Sequence, residues 1–129
     1  MKLELGNMFK TNKTKVYELA KTLNLEIFQF IQSSDRIDPS YANQLTRASL
    51  SVVCNIAEGS GRLTSRDRRN FMVIARGSLF ESIAILDLLL DLHLITTEKF
   101  EYLLTMATTI SKMLYSMIKN LSGKSVESY

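Results

Sequence analysis

The sequence predicts an all-α fold, an up-down-up-down antiparallel four-helix bundle, and three observations carry that expectation. Apolar residues recur at spacings of three and four through four separate segments, the period of one face of an α-helix. One proline and five glycines in 129 residues are too few for a turn-rich β-sandwich or a chain of linkers. The joints between the segments are short, which makes neighbouring helices antiparallel. A chain this long buries about two-thirds of the surface its unfolded form exposes, so one domain over residues 1–129 needs no staple.

Val16, Leu19, Ala20, Leu23, Ile27, Phe30 and Ile31 mark the first helix, over about residues 14–33. Asp38-Pro39 then reads as an N-cap followed by proline at the first helical position, where its missing N–H costs nothing. The second helix, about 39–59, carries Tyr41, Leu45, Ala48, Val52 and Ile56 on one face. Gly59-Ser60-Gly61 is expected to end it, through a left-handed glycine cap. Thr64, with Asp67 three residues on, opens the third helix, about 65–93. Its later half, Ile83 to Leu92, is apolar on more than one side and calls for a second cover, expected to be another subunit. Thr96 or Thr97 caps the fourth helix, about 97–121, whose stripe runs from Phe100 through Leu103, Leu104, Ala107, Ile110, Leu114, Met117 and Ile118 to Leu121. Gly123 is expected to end it, leaving residues 124–129 as a disordered tail.

Composition removes several function classes. One cysteine excludes an internal disulfide framework, and with a single histidine it excludes zinc sites of the Cys/His kind. The longest stretches free of charge, Ala48 to Ala57 and Tyr102 to Ser111, fall well short of the roughly 18 residues a membrane span needs. Residues 1–6 alternate charge and leucine without an apolar core, so the cytoplasm is the expected compartment.

The block Arg47-Ala48-Ser49-Leu50-Ser51-Val52-Val53-Cys54-Asn55-Ile56-Ala57-Glu58-Gly59-Ser60-Gly61-Arg62 resembles the signature of the bacterial four helix bundle protein family. A second matching block, Phe71 to Glu81, contains Ala75-Arg76-Gly77-Ser78, and the resemblance runs from about Val16 to Leu121. Members include the proteins encoded in intervening sequences of 23S ribosomal RNA genes and the accessory variability determinant of diversity-generating retroelements. Val53 stands where members usually carry proline, and Ser82-Ile83 replaces their commoner Leu-Glu. The resemblance implies a ring-shaped homopentamer with a central channel. For the retroelement members it implies binding to nucleic acid and to a reverse transcriptase.

Arg47, Asn55, Glu58, Arg76, Ser78 and Glu81 lie on the second and third helices. Glu58 and Glu81 suit paired acids for proton transfer or metal binding. A di-iron bundle needs Glu-x-x-His on paired helices, and His93 completes none. The expectation is a structural polar network in which Arg76 forks onto Glu58 or Glu81 and Asn55 caps a backbone group. Cys54, with no basic neighbour nearer in sequence than Arg47, reads as a small core residue. His93 reads as a cap at the end of the third helix. No catalytic residue, metal site or cofactor is expected, hence no enzymatic activity.

The net charge of +3 is modest, but its distribution is not. In the antiparallel arrangement one end collects Lys10, Lys13, Lys15, Arg62, Arg66, Arg68, Arg69, Lys119 and Lys124 against Glu18, Glu58, Asp67 and Glu127, nine basic residues to four acidic. The other end sets Asp35, Asp38, Asp87, Asp91, Glu98 and Glu101 against Arg36 and Lys99. Arg66, Arg68 and Arg69 crowd the start of a helix, where cations oppose the dipole by about 0.3–1 kcal/mol each. An anion reverses that penalty, so Lys13, Lys15, Arg62, Arg66, Arg68, Arg69 and Lys119 are the expected contacts to RNA or DNA phosphates. The alternative is a homo-oligomeric protein scaffold without nucleic-acid binding.

Overall fold

The computed structural model describes residues 14–128. They form four helices: α1 (Thr14–Gln32), α2 (Pro39–Ser60), α3 (Ser65–Asp91) and α4 (Thr97–Ser128). α1 packs on α2 and α4, and α3 packs on the same two, while neither diagonal pair brings its backbones together. The section is therefore a square, with Leu23, Ile27, Leu45, Ile56, Met72, Leu79, Leu86, Leu103, Ile110 and Leu114 fully buried along its axis. Each such side chain contributes about 1.5–3 kcal/mol relative to exposure. The stripes predicted for α1, α2 and α4 supply their share of this core, and Met72, Leu79 and Leu86 supply that of α3.

Local chemistry sets the helix starts. Asp38 accepts hydrogen bonds from the Ser40 N–H (2.8 Å) and hydroxyl (2.6 Å), with Pro39 next to it at the first helical position. The Ser40 hydroxyl, and then its N–H, hold the Asp38 carboxyl below the usual carboxylate range. Thr64 Oγ1 accepts from the Asp67 N–H at 3.1 Å, and Thr96 Oγ1 from the Lys99 N–H at 3.1 Å. Thr96, rather than Thr97, is the cap of α4.

The ends depart further from expectation. α2 runs through Gly59, and the cap, Gly61, has φ −88°, so no left-handed glycine closes it. Instead the chain tightens, with the Gly61 N–H on the Glu58 carbonyl (3.1 Å) and the Arg62 N–H on the Gly59 carbonyl (3.2 Å). α3 stops at Asp91, and His93 lies beyond it at φ 59°. Its N–H donates to the Leu90 carbonyl (3.0 Å) and that of Leu94 to the Leu89 carbonyl (2.9 Å), a Schellman closure with histidine in the position glycine favours. Its backbone, not a side-chain charge, makes the cap. α4 stays helical past Gly123 to Ser128, so the predicted end at residue 121 and the tail over 124–129 are corrected for the described residues. One glycine weakens a helix by about 1 kcal/mol, which is too little to stop it where no proline or turn follows.

Cys54 is exposed, not a core residue. The buried line of α2 runs through Leu45, Ala48, Val52 and Ile56. A position two beyond Val52 lies about 200° around the helix from it. The apolar surplus at the end of α3 is also on the surface: Leu88 in the helix and Leu92 just beyond it are each 50% exposed.

Candidate nucleic-acid interface

The turn from α2 to α3 is built by arginines. Arg62 donates from a terminal nitrogen to Glu58 Oε2 (2.7 Å) and stacks 4.7 Å from the centre of the Phe71 ring. Arg68 reaches back and donates through Nε to the Arg62 carbonyl at 2.6 Å, satisfying a backbone acceptor just beyond α2. Arg69 donates through Nε to Ser122 Oγ, which ties the start of α3 to the last turns of α4. Gly59 permits this assembly: a Cβ there would stand 2.5 Å from the Met72 methyl and 2.9 Å from Phe71 Cβ. α2 and α3 thus touch through a missing side chain, with the arginines immediately above the contact.

Topology brings the other cations to the same end. Lys15 opens α1 and Lys119 lies near the end of α4, both exposed and without a hydrogen bond or ion pair among the described residues. Arg66 is exposed in the first turn of α3. Lys10 and Lys13 lie outside the described residues. At the opposite end Lys99 pairs with Glu26 at 2.9 Å, joining the start of α4 to α1.

Arg68 and Arg69 each use one of five guanidinium donors to fix their position, which leaves four for a ligand. Held side chains lose less freedom on binding than loose ones. Phe71, the aromatic ring nearest these arginines in sequence, is covered by Arg62. The sequence reading missed Leu63, which stands 93% exposed at the tip of the turn between Arg62 and Arg66. A single leucine between Arg62 and Thr64, in the joint between two helices, carries no periodic signal that could have marked it.

The six residues expected in one polar network are divided. Glu58 belongs to Arg62, and Glu81 accepts from Gln44 Nε2. Asn55 Nδ2 donates to the Ser51 carbonyl (2.8 Å) and hydroxyl (2.9 Å), and the Ser51 and Ser78 hydroxyls share a 2.8 Å hydrogen bond. Arg76 forks onto neither carboxylate. Its guanidinium lies 4.8 Å from the Phe80 ring centre and 5.5 Å from that of Tyr115, and its buried Nε has no partner among the described residues. The reason is rotational: Arg76 faces α4, while Glu81 faces Gln44 on α2. Arg47 is exposed and unpaired among the described residues. Glu81 lies beside Gln44, and Gln44 is about 21 Å of helix rise from Glu58, so the two acids are not a pair. Among the described residues, no three His, Cys, Asp or Glu side chains are grouped to hold a metal ion.

With this geometry in place, comparison with known proteins is specific. The family of 23S rRNA-intervening sequence proteins matches residues 12–116. The chain belongs to that family. A crystallised protein of unknown function from the S23 ribosomal protein family of Bacteroides thetaiotaomicron VPI-5482 is similar in structure. It is 26% identical, with a TM-score of 0.75 over 81% of this chain and 98% of that one. No curated protein matches the sequence. The resemblance carried by Arg47–Arg62 and Phe71–Glu81 is therefore shown at the level of family and four-helix fold. No helix among the described residues is long and apolar enough to cross a membrane.

Proposed function

We propose that this protein is a non-enzymatic accessory factor that assembles with itself and binds RNA or DNA through phosphates at its basic end. The observation that carries this reading is the gathering of Lys15, Arg62, Arg66, Arg68, Arg69 and Lys119 around the first turns of α3. Three of these cations oppose the α3 dipole there. Free helix N–H groups, the dipole and guanidinium forks all favour a phosphate in that place. With the Phe71 ring covered by Arg62, the contacts follow the backbone, so binding discriminates poorly between sequences. Self-assembly repeats the patch and turns weak sites into a multivalent surface. The homopentamer and the reverse transcriptase partner implied by the resemblance fit this role as the assembly and its protein companion.

Glu58 and Glu81 are engaged separately, by Arg62 and by Gln44, so they do not form the acid pair that catalysis at this site would need. The alternative, a protein-only scaffold, draws on a different feature. An apolar groove of about 380 Å³ lies between α3 and α4, lined by Leu79, Phe80, Ile83, Leu104 and Ala107 with Lys112 at its edge.

Lys15 and Lys119 separate the two readings, because replacing them disturbs no contact within the described residues. In the Lys15→Gln/Lys119→Gln variant, affinity for duplex DNA and structured RNA is expected to fall for all sequences alike. The log–log salt slope should flatten by about 1.4–1.8. Unchanged affinity in that variant would favour the scaffold.

A further inference from the structure

We propose that the groove between α3 and α4 receives the outer face of α1 from the next copy of this chain in the ring, with Glu18 of that copy paired to Arg76. The proposal rests on the self-assembly read above and names the two unlike faces that carry it.

Arg76 is the informative residue. Its guanidinium is half-buried beside the Phe80 and Tyr115 rings, and its buried Nε has no hydrogen-bond partner. No carboxylate pairs with it among the described residues. A charge withdrawn from water in this way calls for an anionic partner. Phe80 and Arg76 border one part of the groove, and Phe80 continues into the apolar part with Leu79, Ile83, Leu104 and Ala107. The charged side chains lining both parts are cations, Arg76 and Lys112. The occupant therefore carries an apolar side chain and a carboxylate at matching spacing.

The outer face of α1 presents that pair. Leu25 is 52% exposed, and Glu18 lies two turns before it on the same stripe. Within the chain Glu18 has a 3.6 Å contact to Lys21, which leans over the Tyr17 ring. A contact of this kind between exposed side chains is worth little. The heights match too. Asn24 bonds to Ser49 and Ser51 to Ser78, so in α1 and α3, which run the same way, residue 22 stands level with residue 78. Glu18 is then about 3 Å of helix rise from Arg76, and Leu25 falls between Phe80 and Ile83. With the bundles standing along the ring axis, rotation from one copy to the next preserves these heights.

Ring closure selects the same face. In a ring of five, each copy meets its two neighbours in directions about 108° apart. In the square section the α1 corner stands about 135° round from the α3/α4 face, and the α4/α1 face about 90°. The outer face of α1 turns from one to the other, whereas opposite faces of the bundle would build an open row. α1 begins at Thr14, level with residue 70, so Arg66 and Arg69 lie outside this contact between helices. Lys15 of one copy comes to about the height of Lys119 of the next, which carries the basic end on around the rim.

Sedimentation equilibrium of the full chain at micromolar concentration, beside its Leu25→Arg and Glu18→Arg variants, tests the contact. Wild type is expected at five times the 14.7 kDa chain mass. Leu25→Arg sets a third cation against Arg76 and Lys112 and is expected at the mass of one chain. Glu18→Arg should raise the concentration of half-dissociation by at least about tenfold. Both positions are exposed within one chain, so helicity should be unchanged in both variants. The pairing of faces is tested by oxidising Leu25→Cys and Thr108→Cys chains, each also carrying Cys54→Ser. Thr108 lines the groove at about the height of Leu25, so the mixture should cross-link and neither variant alone should. A monomeric wild type would remove both self-assembly and this contact. An assembly whose mass both arginine variants leave unchanged would remove this contact and keep self-assembly. Cross-linking of either cysteine variant with itself would overturn the pairing of unlike faces.

Discussion

Gly59 on α2 and Met72 on α3 are in such close contact that a Cβ at Gly59 would stand 2.5 Å from the Met72 methyl. Met72 is fully buried, and the Phe71 Cβ, close to the backbone, would lie 2.9 Å away on the same side. Alanine at Gly59 gains about 1 kcal/mol of helix propensity. It also forces two packed helices apart, and overpacking of this kind costs about 1–3 kcal/mol. Gly59→Ala is therefore expected to be less stable than wild type by up to about 2 kcal/mol, read from the urea midpoint at unchanged slope.

His93 gives the opposite sign. It holds φ 59° beyond the end of α3, a conformation that costs an L-residue about 1–2 kcal/mol and glycine almost nothing. His93→Gly keeps both closing backbone hydrogen bonds and should stabilise the fold by up to about 1 kcal/mol. His93→Val, branched at Cβ, should destabilise it. Thermal unfolding of the two variants side by side checks the prediction.

Asp38 contributes a pH dependence. Its carboxyl is held below the ordinary range by the Ser40 hydroxyl and N–H, so the folded state binds that proton less tightly than the unfolded chain does. The resulting stabilisation is fully present above the ordinary carboxylate pKa near 4. It is lost as pH falls through the lower folded-state value. Asp38→Asn, which keeps a capping oxygen, should remove this part of the acid dependence while α2 still forms. Melting temperatures between neutral pH and pH 2 would show it as a smaller decline than in wild type.

Arg68 and Arg69 are anchored through Nε, a contact that lysine cannot make. The double variant Arg68→Lys/Arg69→Lys keeps the charge and loses the anchoring. Affinity for nucleic acid should weaken by up to about tenfold, since one such hydrogen bond is worth about 0.5–1.5 kcal/mol. The salt slope should stay the same, because the number of cations is unchanged. Anisotropy titrations at two salt concentrations separate the effects.

The helix starts were legible in the sequence because caps are local. Asp38, Thr64 and Thr96 each accept from an N–H two or three residues on, and no other helix is involved. The stripes were legible for the same reason: Leu45, Val52 and Ile56 repeat with the period of the element that holds them. Gly61, Gly123 and Arg76 were misread because their roles depend on neighbours. Whether Arg76 meets a carboxylate or the rings of Phe80 and Tyr115 is set by the rotation of α3 against α2 and α4. At the basic end, Lys15, Arg62 and Lys119 could be placed from the antiparallel order alone. The Nε anchors of Arg68 and Arg69, and the exposed Leu63, needed the turn itself.

The most direct measurement is the salt dependence of wild-type binding to a structured RNA hairpin, a DNA duplex and an RNA–DNA hybrid, followed by fluorescence anisotropy from about 50 to 200 mM salt. The six cations described at the basic end bound the slope. Expected is binding at low salt to all three with little preference among sequences, and a log–log slope between about −2 and −5 per protomer. Absence of binding to every one of these ligands at low salt, or affinity indifferent to salt, would contradict the phosphate-binding role and leave the protein scaffold in its place.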